Sequence, residues 1–157
     1  MRLRLLVVGR PRDPSAMFLH DDYAGRLRRL GLHYRSDCVP GERAGSRYSD
    51  AHVREREGRA LLEALEPSER LIALDPGGTQ WTSEELAERI EAWGTPAGCL
   101  AVGGPLGLPA GLLERAHARW SLSRLTFPHE LVRVLVAEQL YRAVSILRGF
   151  PYHRGSP

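Results

Sequence analysis

The residues best equipped for chemistry stand near the C-terminal end of the chain. Tyr152, His153 and Arg154 follow one another in "PYHR" and bring a phenol, an imidazole and a guanidinium into three consecutive positions. An imidazole titrates near neutral pH and can move a proton in either direction. A guanidinium forks onto phosphates and carboxylates. A tail without a role would fray and carry little of this. The other candidate ligand contacts are rich in main chain: "LDPGG" at 74–78, "VGGPLGL" at 102–108 and "LSRLTFPH" at 122–129. Glycine lets backbone come close to a ligand. Each stretch alone also reads as an ordinary strand-to-helix turn.

Several kinds of chemistry are excluded by pattern. "GGPLG" is not the GxGxxG dinucleotide fingerprint, and no Gly-Lys-Ser/Thr phosphate loop exists. GxSxG is absent, and Ser121 and Ser123 have no evident base partner. The six histidines are scattered, and Cys38 and Cys99 lack CxxC spacing. A structural zinc needs about four ligands, so no metal is expected. Both cysteines are expected as buried thiols outside any disulfide.

These residues must be positioned by 157 residues, which predicts a single domain over 1–157. Hydrophobic content of 43% and charged content of 26% fit a globular chain. Apolar runs such as Leu5–Val8 are far too short to span a bilayer. The start "MRLRLLVVGRPRD" has too short an apolar stretch for a secretory signal and reads as a first strand. A cytoplasmic protein is expected. Net charge is +3, and all 22 basic residues are arginine. The groups Arg26, Arg28, Arg29 and Arg54, Arg56, Arg59 could form a basic face, or be solvated helix faces mixed with Asp and Glu.

Periodicity predicts strands at 3–8, 33–41, 70–75, 98–104 and 121–125. It predicts helices at about 18–31, 51–65, 81–94, 108–120 and 128–148. Thr82 to Glu85 fits a capping box, and the "PGG" after Asp75 reads as a turn. Strict alternation of strand and helix argues for a largely parallel α/β sheet covered on both faces. In such sheets ligands bind beyond the carboxyl ends of the strands, where the three proline-containing loops fall. The last helix is apolar on more than one face, through Leu131, Val132, Val134, Leu135, Val136, Leu140, Val144, Ile146 and Leu147. Two readings stay open: a central core helix, or the seam of a symmetric homodimer. Glu138 and Arg142, four apart, suit an intrahelical ion pair.

The ordered blocks "LDPGG…W", "AVGGPLGL", "RWSLSRLTFPHELVRVLVAEQLYRA" and "PYHR" closely resemble the ribosomal RNA large subunit methyltransferase H family of the SPOUT superfamily. The likeness spans the chain, including "LRLLVVGR" and "REREGRALL", and is strongest over 70–154. It implies an α/β SPOUT domain with a C-terminal trefoil knot, and a homodimer with its active site near the subunit interface. It implies methyl transfer from S-adenosyl-L-methionine to N3 of a pseudouridine in 23S rRNA, on assembled 70S ribosomes. Carried over by motif, Leu74, Gly103, Gly104 and the loop Ser123, Arg124, Leu125, Thr126, Phe127 and Pro128 hold the donor, largely through backbone. Arg124 and Phe127 are larger than the resemblance leads one to expect.

The tail then gains roles. Pseudouridine N3 must lose a proton to attack the methyl carbon. His153 is the candidate base, Arg154 the partner of phosphate or of the developing imidate, and Tyr152 a stacking platform; Arg142 completes the catalytic set. A clasp that merely closes the C-terminus is the alternative. The loop Gly41–Arg47 and the helix around Arg26–Arg29 are candidate RNA contacts. Two competing functions remain: a non-catalytic ribosome-binding or assembly factor of the same fold, and a SPOUT methyltransferase for another RNA base.

Overall fold

A computed structural model describes residues 1–42, 45 and 47–153 of the chain. Five strands and five helices alternate: β1 (Arg2–Val8), α1 (Pro14–Arg29), β2 (His33–Val39), α2 (Asp50–Glu63), β3 (Glu69–Thr79), α3 (Ser83–Trp93), β4 (Ala97–Val102), α4 (Ala110–Arg115), β5 (Ala118–Trp120) and α5 (His129–Leu147). The strands form one sheet in the order β2-β1-β4-β3-β5, and every pairing is parallel.

Side chains one apart on a strand point to opposite faces, and the central strands show this directly. Leu3, Leu5 and Val7 of β1, with Leu100 and Val102 of β4, pack under α1, α3 and α5. Leu6 and Val8, with Cys99 and Ala101, pack under α2 and α4. Both strands are buried on both sides, so β4 is apolar throughout and β1 is apolar from Leu5 to Val8. On α5, Val136, Ala137, Leu140, Ala143 and Val144 face this core, while Leu131 and Leu147 stay exposed. The core reading thus describes one face of α5. At the lower end of the sheet the buried Arg4 is paired with Glu69 and lies 3.5 Å from Asp37.

Local signals set the helix ends. The Asp13 carboxylate accepts from the Ser15 N–H at 2.8 Å, and Pro14 follows at the first helical position, so α1 starts four residues before the expected start. The Thr82–Glu85 capping box is present. Gly94 closes α3.

Four expectations are corrected. The helix expected over 108–120 is only the short α4, because the His117 N–H turns away to the Leu71 carbonyl, 2.8 Å away, and joins the sheet. The strand expected at 121–125 falls instead at Ala118–Trp120. Beyond Trp120, Ser121 Oγ donates to the Ser123 carbonyl and Ser123 Oγ accepts from the Leu125 N–H, each at 3.0 Å; these local bonds replace a ladder. The "PGG" turn is a bulge within β3: Leu74 and Thr79 both pair with Trp120. A side chain at Gly78 would begin 2.6 Å from the Arg119 carbonyl oxygen. Cys99 is buried as expected, but Cys38 is exposed, since edge strand β2 has only one neighbour.

Candidate active site

Because all strands run parallel and β3 lies between β4 and β5, the loops that follow these three strands meet at one end of the sheet. They enclose a cavity of about 470 Å³. Leu74, Gly103, Gly104, Ser123, Leu125, Thr126, Phe127 and Pro128 all line it, as the sequence suggested; Arg124 does not and is exposed. Phe127 does reach the cavity, so its size shapes the wall. Trp120 and Val132 also line it and were missed. Trp120 could have been found only through its pairing with Leu74, which the helical look of "ERAHARW" conceals.

The glycines here meet close contacts. A side chain at Gly103 would begin 2.8 Å from the Gly107 carbonyl carbon, and one at Gly104 would begin 2.8 Å from Glu57 Oε2. Gly107 adopts φ +80°, where only glycine is unstrained, and its N–H donates to the Gly104 carbonyl at 3.0 Å. Burial, with the Glu42 carboxylate close by, pushes the Glu57 carboxyl pKa up, against the bond that its Oε1 accepts from the Glu42 N–H at 3.1 Å. The cavity wall itself is mostly main chain and apolar side chains. Its titratable members are Asp75, held by Arg119 Nε at 3.0 Å, and His129.

Tyr152, His153 and Arg142 lie together in a second cluster, and none of them lines the cavity. Arg142 Nη2 donates to Glu138 Oε1 at 2.6 Å, the ion pair expected from their spacing. Tyr152 Oη donates to the same oxygen at 3.1 Å and lies 3.3 Å from the Tyr23 hydroxyl. Burial first, then these two bonds, hold the Tyr152 phenol in its neutral form, with its pKa well above the usual value. The Arg142 guanidinium stands 4.9 Å from the Tyr152 ring centre. His153 Nε2 lies 2.7 Å from Glu84 Oε1, and Nδ1 lies 3.5 Å from Arg142 Nη1. Glu84 is held below the ordinary carboxyl range, first by its own backbone N–H and then by His153. Arg154 and the following Gly155-Ser156-Pro157 lie outside the described residues, as do positions 43, 44 and 46 of the Gly41–Arg47 loop.

The profile described as "Predicted SPOUT methyltransferase" matches residues 1–153. Proteins named ribosomal RNA large subunit methyltransferase H match nearly end to end. The one from Anaeromyxobacter sp. (strain Fw109-5) is 43% identical over 98% of this chain and 100% of its own length. The one from Gloeobacter violaceus is 45% identical over 99% and 100%. The chain belongs to the ribosomal RNA large subunit methyltransferase H family of SPOUT methyltransferases. Solved structures agree on the SPOUT fold. A "probable methylase family protein" from Haemophilus influenzae Rd KW20 superposes with a TM-score of 0.52 at 12% identity, over 99% of this chain and 71% of its own. A "Probable Methyltransferase" from Bordetella pertussis Tohama I gives 0.52 at 18% identity, over 91% and 94%.

Among the described residues, this SPOUT chain holds no cluster of three or more His, Cys, Asp or Glu able to bind a metal. No described helix is long and apolar enough to cross a membrane. Its arginine groups are partly neutralised, since Arg26 pairs with Asp22 and Arg56 with Glu42, each at 2.8 Å.

Proposed function

We propose that this protein methylates N3 of a pseudouridine in 23S rRNA, with S-adenosyl-L-methionine as donor and the assembled 70S ribosome as substrate. The observation that carries the reading is the cavity itself: the three loops picked out by motif converge on one space, walled by backbone and apolar groups. The relatives at 43–45% identity bear the matching name. The cavity fits the donor's adenosine, which main-chain N–H and C=O groups can hold without charged side chains. Leu74, Gly103, Gly104 and the Ser123–Pro128 loop would hold it. The donor supplies an electrophilic methyl carbon on a sulfonium.

The chain's own groups do the rest. Glu84 fixes the His153 ring through Nε2, and Nδ1, which faces Arg142 Nη1 at 3.5 Å, takes the N3 proton of the base in exchange for that contact. Arg142, anchored by Glu138, presents positive charge beside the same ring and stabilises the imidate as it forms. Tyr152 offers an aromatic face for the base, and Arg154 a guanidinium for phosphate. Alignment of nucleophile and methyl carbon supplies much of the acceleration.

Since the tail cluster does not line the cavity of its own chain, the tail of one copy serves the cavity of a second in a homodimer. Support comes from exposed apolar residues on two helices that pack together: Met17, Phe18 and Leu19 of α1 are 40, 74 and 48% exposed, and Leu131 of α5 is 47% exposed. Such a patch needs a cover. The C-terminal knot and a cytoplasmic location belong to the same reading. The test is transfer of labelled methyl to 70S ribosomes lacking the mark, free large subunits and naked 23S rRNA. Label on 70S is expected. No label on any acceptor, with donor still bound, would replace this reading by a binding or assembly factor.

A further inference from the structure

The tail that follows α5 is tied to the body of the chain mainly by side chains. The Phe150 N–H donates to the Ser145 carbonyl and the Tyr152 N–H to the Phe150 carbonyl, each at 2.9 Å. Beyond these main-chain bonds, α5 supplies Glu138 and Arg142, and α3 supplies Glu84. Helix α1 supplies Tyr23, 129 positions before Tyr152, and the mechanism above gives it no part. Tyr23 is itself braced. Its ring centre lies 6.0 Å from that of Tyr141, and the Arg26 guanidinium stands 5.4 Å from the Tyr23 ring centre and 5.8 Å from the Tyr141 ring centre. Asp22 fixes Arg26 at 2.8 Å. The Tyr141 ring also packs edge-on against the Tyr152 ring, with centres 4.6 Å apart.

The direction of the Tyr23–Tyr152 contact follows from its surroundings. Glu138 Oε1 accepts from Arg142 Nη2 at 2.6 Å and from the Tyr152 hydroxyl at 3.1 Å, and Oε2 accepts from the Gln139 amide. A carboxylate is an acceptor only, and a phenol has one proton to give. Tyr152 gives its proton to Glu138. The two hydroxyls are 3.3 Å apart, so Tyr23 is the donor and Tyr152 Oη the acceptor. The chain runs from Tyr23 to Tyr152 to Glu138, and Arg142 enters at the same carboxylate oxygen. In such chains each bond polarises the next, so donation from Tyr23 makes Tyr152 the better donor to Glu138. Arg142 stands 4.9 Å from the Tyr152 ring centre and 3.5 Å from His153 Nδ1. A swing of Tyr152 would therefore disturb Arg142 and, with it, the surroundings of His153.

We propose that Tyr23 is a positioning residue for methyl transfer: its hydroxyl, by donating to Tyr152 Oη, holds the Tyr152 ring and, through Glu138, keeps the Arg142 guanidinium beside His153. It acts through Tyr152 alone. This rests on the reading of the tail as catalytic.

Tyr23→Phe keeps the ring and removes the donor. On 70S ribosomes lacking the mark, its kcat should fall about fivefold, the scale of one hydrogen bond, with donor affinity unchanged by calorimetry. Tyr152→Phe removes the acceptor, so adding Tyr23→Phe to that variant should cost nothing further. Were Tyr23 to act by packing against Tyr141 and Arg26, its substitution would lower kcat equally in both backgrounds. That result overturns the proposal, as does a Tyr23→Phe enzyme that turns over at the wild-type rate. A second readout needs no turnover. In NMR spectra of protein carrying isotope-labelled tyrosine, the resonance of the Tyr152 ring carbon that bears the hydroxyl should shift in Tyr23→Phe. An unmoved resonance overturns the proposal even if no acceptor is methylated. Full turnover by His153→Ala would instead remove the catalytic reading of the tail, and the resonance would still decide whether Tyr23 holds Tyr152.

Discussion

Main chain and apolar groups wall the cavity after β3, β4 and β5, whereas side chains alone make up the cluster around Tyr152 and His153. In the first region most side chains matter by being small or absent. In the second every bond runs between named functional groups, two of them converging on Glu138 Oε1. A backbone-built site tolerates outward substitution and fails when a Cβ intrudes. A side-chain-built site fails when one functional group is removed and leaves its neighbour untouched.

Four substitutions sharpen that contrast. His153→Ala removes the proposed base and should lower kcat by ~10²–10⁴, with donor affinity unchanged by calorimetry. Retention of full turnover would leave the tail as a clasp. Gly103→Ala places a methyl 2.8 Å from main chain that cannot swing away. Its donor affinity should fall by about a hundredfold, the scale on which small misplacements act.

Glu57→Gln probes the support behind Gly104 and is pH-dependent. Burial raises the Glu57 pKa, so the folded chain holds that proton more tightly than the unfolded chain does. Stability is then greatest below the ordinary carboxyl range, falls as pH climbs through it, and stops falling above the raised value. Glutamine cannot ionise, so the variant's Tm should match wild type in acid and exceed it by on the order of a few degrees at alkaline pH. Equal Tm values at every pH would show that the carboxyl titrates normally. Arg124→Ala should leave donor affinity within about twofold, because its side chain is outside the cavity.

The same contrast explains what could be read before the fold was known. The loops that line the cavity were legible because glycine and proline mark turns, and alternation of strand and helix places those turns at one end of a parallel sheet. The capping box and the Glu138–Arg142 pair were legible because they are local. Trp120 was not, since its role depends on pairing with Leu74, 46 positions away. The contact of His153 with Glu84 spans 69 positions and follows from no local pattern. Nor does sequence distance reveal that the catalytic candidates and the cavity stand apart within one chain.

That separation makes the central claim testable by complementation. His153→Ala leaves a sound cavity and a dead tail; Gly103→Ala leaves the reverse. Differently tagged copies can be combined and the mixed dimer purified. If the tail serves the partner's cavity, one of the two sites is intact, and methyl transfer to 70S ribosomes should recover to about half of wild type. Activity no higher than that of either variant alone would mean that each tail serves its own cavity, contradicting the account.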